Sequence, residues 1–121
     1  MTKPQILIAE DEVMLRVAAA EMLEGAGFEV FQAGDGEEAL ALLKLHPSIA
    51  LLISDIRMPR MDGYSLVKAG MDLKPGLRFL LMTGYAQDPP ADLVRERHIE
   101  ILRKPFNLNR LCQMAGAIAG N

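Results

Sequence analysis

The sequence predicts a single alternating α/β domain in which a parallel five-stranded sheet carries helices on both faces. Three observations predict it. Five short apolar runs, at residues 5–9, 28–33, 49–54, 78–83 and 99–102, alternate with longer stretches of helical periodicity. The third run, Ile49-Ala50-Leu51-Leu52-Ile53, is apolar at every position, as a strand buried on both faces must be. Each run is separated from the next by enough chain for a crossover helix, so parallel pairing with right-handed connections is the simplest arrangement.

In chain order, Ile6-Leu7-Ile8-Ala9 gives way to Glu10-Asp11-Glu12, after which Met14, Ala18 and Met22 recur at a spacing of four and mark a helix that stops near Gly27. The second helix opens at Asp35 with Glu38 three residues on, the pattern of a capping box, and Leu42 and Leu45 continue its inner face to Pro47. The third starts near Gly63, turns Leu66 and Val67 inward and stops around Pro75-Gly76. A fourth could open at Pro89-Pro90, but up to His98 it sets only Leu93 and Val94 beside Asp92, Arg95, Glu96 and Arg97, which predicts a marginal, mobile helix. The fifth is capped by Asn107 and places Leu108, Leu111, Ala115 and Ile118 on one face. No repeat, low-complexity tract or linker interrupts the pattern, so residues 1–121 read as one domain.

Composition limits the function classes. A chain of 121 residues and 13.3 kDa buries roughly two thirds of its unfolded surface, enough for a core of its own. With no Trp and 8 Met, that core is filled by aliphatic and thioether side chains. A net charge of -3 and a pI near 5.3 give no basic field, so direct nucleic-acid binding is not expected. The single cysteine, Cys112, excludes an internal disulfide and a cysteine-cluster metal site and fits a reducing compartment. No segment approaches the roughly 18 consecutive apolar residues of a membrane helix, and the first apolar run is too short for a signal peptide. A soluble cytoplasmic protein without membrane insertion is expected.

The chemistry gathers at strand ends. Asp55 closes the third run and is followed directly by the turn Arg57-Met58-Pro59-Arg60-Met61-Asp62-Gly63, while Glu10 and Asp11 close the first run. In a parallel sheet the carboxyl ends converge and form the natural ligand site. Three carboxylates gathered there repel one another unless a cation shares the site, and oxygen donors without His or Cys favour Mg²⁺. Thr83 ends the fourth run in Met82-Thr83-Gly84, and Lys104 follows the fifth in Arg103-Lys104-Pro105-Phe106. A hydroxyl and a fixed ammonium, added to the cation, are what a phosphoryl group on Asp55 would need. Taken singly, Asp55 is an ordinary turn former, Glu10 and Asp11 are helix-start charges, Thr83 is a strand residue and Lys104 a solvated charge. Their conjunction is what favours one phosphoryl site.

At these residues the sequence resembles the receiver domain of bacterial two-component response regulators, over essentially its whole length. The acidic pair Glu10-Asp11, the motif Asp55-Ile56-Arg57-Met58-Pro59-Arg60-Met61-Asp62-Gly63, Thr83-Gly84 and Lys104-Pro105-Phe106 stand in the family's order and approximate spacing. The resemblance implies a flavodoxin-like (βα)5 doubly wound sheet with strand order 2-1-3-4-5. It makes Asp55 the phosphoacceptor, taking its phosphoryl group from a histidine kinase, a phosphotransfer protein or a small donor such as acetyl phosphate. Asp11, Asp55 and the backbone carbonyl of Arg57 would coordinate Mg²⁺, with Glu10 holding it through water. Lys104 would pair with the phosphoryl oxygens, Thr83 would move to hydrogen-bond them, and the Lys104-Pro105 bond would be cis.

The chain departs from the family at one place. Three residues before the lysine, receivers usually carry a Tyr or Phe that rotates inward as the threonine moves; here that residue is Ile101. Either switching is weak or another aromatic takes over, and Tyr85, two residues after Thr83, is the candidate. Arg57 and Tyr85 would also flank the approach of water to the phosphoryl group.

The function implied is a single-domain switch, a monomer or weak dimer, that alters its binding to a downstream protein through the surface of the fourth helix, fifth strand and fifth helix. That face would include Leu93, Arg97, Ile101, Asn109 and Met114. One alternative is a receiver excised from a hybrid kinase or transcription factor. Another is a phosphohydrolase working through an aspartyl-phosphate, although the second Asp such enzymes place two residues after the nucleophile is here Arg57. Gly25-Ala26-Gly27 and Gly34-Asp35-Gly36 read as turns and caps, not as dinucleotide fingerprints, and His46 and His98 read as helix-end residues.

Overall fold

In the computed structural model, which describes residues 3–57, 61–84 and 99–119, aliphatic runs form five strands: β1 (Gln5–Ala9), β2 (Glu29–Ala33), β3 (Ile49–Asp55), β4 (Arg78–Thr83) and β5 (Ile99–Arg103). All four pairings are parallel and the order is β2-β1-β3-β4-β5, the expected doubly wound arrangement. Strand side chains alternate between faces, so each strand feeds two separate cores. Leu7, Leu52, Phe79 and Leu81 pack on one face with Ala39, Leu43, Leu66 and Val67 of the helices α2 (Gly36–Leu45) and α3 (Gly63–Leu73). Ile6, Ile8, Leu51, Ile53 and Leu80 pack on the other with Ala19, Ala20, Leu23, Leu111 and Ala115 of α1 (Val13–Gly25) and the C-terminal helix (Leu108–Ala119). Both faces of the sheet are therefore covered.

Side-chain caps define the starts of α2, α3 and the C-terminal helix, with Asp35 and Asn107 in the expected places. The Asp35 side chain accepts the Glu38 N–H at 2.8 Å, Asp62 accepts the Ser65 N–H at 2.8 Å, and Asn107 accepts the Arg110 N–H at 2.7 Å, each satisfying a donor that the first turn leaves without a partner. Beyond α1 the chain turns at Gly27 with φ of 104°, in the region that favours glycine. His46 caps the end of α2, its backbone N–H donating to the Leu42 carbonyl at 2.9 Å and its ring stacked on Phe31. Cys112 is a half-buried free thiol.

Two helix faces differ from the sequence reading. Met14 is 83 % exposed, and the buried stripe of α1 lies one residue on, through Ala19, Ala20 and Leu23. Leu45 is 70 % exposed, and α2 buries Gly36, Ala39 and Leu43 instead. The cause is the same in both: the reading followed the larger side chains, whereas small residues bring the helix backbone close to the sheet and so decide which stripe is buried. The strand limits move by one residue at the start of β2 and at the ends of β3 and β5. The expected fourth helix, at residues 89–98, lies outside the described residues. Among the described residues, no helix is long and apolar enough to cross a membrane.

Candidate functional site

β3 runs through Asp55 itself, whose neighbour Ser54 registers with Ala9 of β1 and which itself registers with Met82 of β4. Asp55 is thereby carried to the edge of the sheet between the ends of β1 and β4 while staying buried. The chain then folds back tightly: the Ile56 N–H donates to the Met82 carbonyl at 3.1 Å and the Gly63 N–H to the Ile56 carbonyl at 2.8 Å. A Cβ on Gly63 would stand 2.8 Å from the Asp55 carbonyl oxygen and from Ile56 Cα, so the return of the chain beneath Asp55 requires glycine.

The two oxygens of Asp55 are held separately. Oδ1 accepts the Arg57 backbone N–H at 3.0 Å, and Oδ2 accepts from Lys104 Nζ at 2.6 Å. Lys104 reaches the site from the end of β5, where its backbone N–H donates to the Thr83 carbonyl at 2.6 Å and its peptide bond to Pro105 is cis, as expected. Thr83, the last residue of β4, is buried beside it. Burial alone would lower the Lys104 pKa, but its hydrogen bond to Asp55 and the charges of Asp55, Glu10 and Glu12 outweigh that and hold it above the ordinary lysine value.

Glu10 completes the buried part. It is 1 % exposed, its backbone N–H donates to the Ala33 carbonyl at 3.0 Å, and its Oε2 accepts the Glu12 N–H at 3.0 Å. Its other oxygen, Oε1, has no hydrogen-bond partner and stands 4.0 Å from Lys104 Nζ. Burial, partly offset by the Glu12 N–H and reinforced by the Asp11 hydrogen bond and the Asp55 charge, pushes the Glu10 carboxyl up to about 8. Asp11 lies at the exposed rim.

The fold thus brings Glu10, Asp55, Thr83 and Lys104 together, with Asp11 at their edge and the Arg57 backbone at the start of the turn. Among the described residues no three metal-ligating side chains already form a cage, and Lys104 Nζ stands 2.6 Å from Asp55 Oδ2 and 4.0 Å from Glu10 Oε1. A hard divalent cation nonetheless suits the donor set: the carboxylates are all oxygen donors, and the unpartnered Glu10 Oε1 marks a place short of positive charge. Ile101 registers with Leu81 and packs half-buried against the core. Tyr85, Leu93, Arg97, His98 and residues 58–60 lie outside the described residues. Sequence reasoning missed Arg16, whose guanidinium reaches the Glu10 carbonyl; the signal was an arginine one turn past the acidic pair, next to the stripe that α1 buries.

Comparison with known proteins agrees with this geometry. The model of the response regulator receiver domain matches residues 6–116. The chain is 36% identical over 110 residues to the response regulator receiver protein CpdR of Brucella abortus, covering 88% of this chain and 89% of that one. It is 33% identical over 108 residues to the sensor kinase CckA of the same organism, covering 88% of this chain but only 11% of the kinase. The crystal structure of a response regulator receiver domain protein from Clostridium thermocellum superimposes with a TM-score of 0.86 at 26% identity, covering 95% of this chain and 93% of that one. The chain belongs to the response regulator receiver domain family, whose members are switches in two-component signalling.

Proposed function

We propose that Asp55 is a phosphoacceptor and that its Mg²⁺-dependent phosphorylation alters binding of the domain to a partner protein. The observation that carries the reading is the contact of Lys104 Nζ with Asp55 Oδ2 at 2.6 Å, made across 49 residues of sequence and beside the unpartnered oxygen of Glu10. A carboxylate oxygen of Asp55 attacks phosphorus, the bond from phosphorus to the donor's imidazole nitrogen breaks, and the imidazole leaves. Lys104 stays within reach of the new phosphoryl oxygens and offsets their charge, while the Thr83 hydroxyl, at the end of the neighbouring strand, can donate to one of them. Asp11, Asp55 and the Arg57 carbonyl would hold Mg²⁺, with Glu10 contributing through water, and the bound ion would supply positive charge to offset that of the phosphoryl oxygens.

The donor is a histidine kinase or phosphotransfer protein, and the surface of β5 and the C-terminal helix, with Ile101, Asn109 and Met114, is the partner face, used by a monomer or weak dimer. A receiver cut from a longer hybrid kinase or regulator would use Asp55 in the same way. Ile101 cannot perform the aromatic rotation, and Tyr85 is the residue to take it over; an unchanged shift response to phosphorylation in Tyr85→Ala would refute that role. Incubation with acetyl phosphate and Mg²⁺ tests the main reading by intact mass. The wild type gains one phosphoryl group and Asp55→Asn gains none. Labelling that persists in Asp55→Asn contradicts the assignment, and turnover of a phosphomonoester favours the phosphohydrolase instead.

A further inference from the structure

At the end of β1 the backbone leaves the sheet, and the Glu10 carbonyl needs a donor from elsewhere. Arg16, one turn into α1, supplies it: Nη1 donates to the Glu10 carbonyl at 3.0 Å and Nε to Gln32 Oε1 of β2 at 3.3 Å. The Glu10 N–H is meanwhile fixed by the Ala33 carbonyl. Both sides of Glu10 are therefore tied, and the peptide joining it to Asp11 is held from its carbonyl end. The guanidinium can do this because its planar fork reaches acceptors on two strands at once; a lysine ammonium at the end of its chain reaches one. Room for it is provided by Gly34, where a Cβ would stand 3.2 Å from Arg16 Nη1, closer than ordinary van der Waals contact.

We infer that Arg16 is a positioning residue for the Glu10-Asp11 acidic pair, setting the direction from which these two carboxylates face a divalent cation. The inference rests on the Mg²⁺ reading of the site. Arg16 touches neither carboxylate in its role; it acts through the backbone that carries them, as outer groups that orient metal ligands do.

Mg²⁺ binding to the whole chain, followed by amide shifts in a titration without any phosphodonor, tests it. Arg16→Met is expected to raise the Mg²⁺ dissociation constant about tenfold, the lower end of what loss of an orienting group costs, and Arg16→Lys to recover little of it. Gly34→Ala, which keeps the arginine but crowds it, is expected to raise the constant by a smaller factor in the same direction. A merely structural role would lower the unfolding midpoint in chelator and leave the constant alone. Binding within twofold of wild type in folded Arg16→Met and Gly34→Ala overturns the inference while leaving the Mg²⁺ reading standing. If Arg16→Met does not fold, Gly34→Ala decides alone. Absence of Mg²⁺ binding in the wild type overturns the site reading itself, and the role of Arg16 with it.

Discussion

Glu10 and Asp55 are two carboxylates in one buried corner, yet only one has a cation of its own. Lys104 lies 2.6 Å from Asp55 and 4.0 Å from Glu10, and the consequence falls on Glu10, whose carboxyl is pushed up to about 8 by burial and by the Asp55 charge. A carboxyl whose folded pKa lies above its usual 4.5 favours the fold while protonated. Its contribution is complete below about pH 4.5 and is lost as pH rises through about 8. Metal-free wild type is therefore expected to lose stability relative to Glu10→Gln as pH rises across that window, so that the gap between the two proteins is wider at pH 8 than at pH 5. Urea unfolding in chelator at pH 5 and pH 8 measures it. Parallel stability curves for the two proteins would mean that Glu10 carries no such strain. At this scale the sequence was informative through conjunction: each polar residue has an ordinary use alone, but polar residues at the converging ends of four apolar strands point to one site. It could not show that Lys104 sides with Asp55, which depends on where β5 ends relative to β3.

Among the elements, the turn from β3 into α3 places the site most directly. Gly63 sits beneath Asp55, and the obstacle a Cβ would meet is backbone, which cannot swing aside as a flexible side chain could. Gly63→Ala is expected to cost about 1–3 kcal/mol and to displace the Asp55 carbonyl. Gly116, inside the C-terminal helix, has nothing within 4 Å of where a Cβ would go, so Gly116→Ala is expected to stabilise by about 0.5–1 kcal/mol through helix propensity. Chemical denaturation of the pair checks both signs; stabilisation by both would show that the β3–α3 turn can relax. The elements themselves were legible where a chemical signal marks their limits: Asp35 and Asn107 cap where their spacing placed them. The buried faces of α1 and α2 were not legible, because Met14 and Leu45 carry the hydrophobicity whereas Ala19, Ala39 and their neighbours carry the close approach. Hydrophobic periodicity weighs side-chain size, and packing at a sheet often selects its absence.

Across the whole molecule, the order β2-β1-β3-β4-β5 puts the ends of β1, β3 and β4 side by side and lets β5 reach over with Lys104. Residues 10, 55, 83 and 104 meet for that reason, though they are spread over most of the chain. The sequence carried this arrangement in its alternation of strands and helices together with the placement of polar residues at strand ends. What it carried less well is the path from the site to a partner surface, because Ile101, where the resemblance leads us to expect an aromatic, packs against the core as an ordinary aliphatic residue. Backbone contact between Lys104 and Thr83 links the ends of β4 and β5 directly. The central claim is that Asp55 accepts a phosphoryl group in a site completed by a divalent cation. A titration with beryllofluoride and Mg²⁺, followed by backbone amide shifts in wild type and Asp55→Asn, tests it most directly. The account predicts saturable shifts in the wild type, centred on residues 55, 83 and 104 and extending into β5, and none in Asp55→Asn. No response in the wild type, or the same response in both proteins, would contradict it.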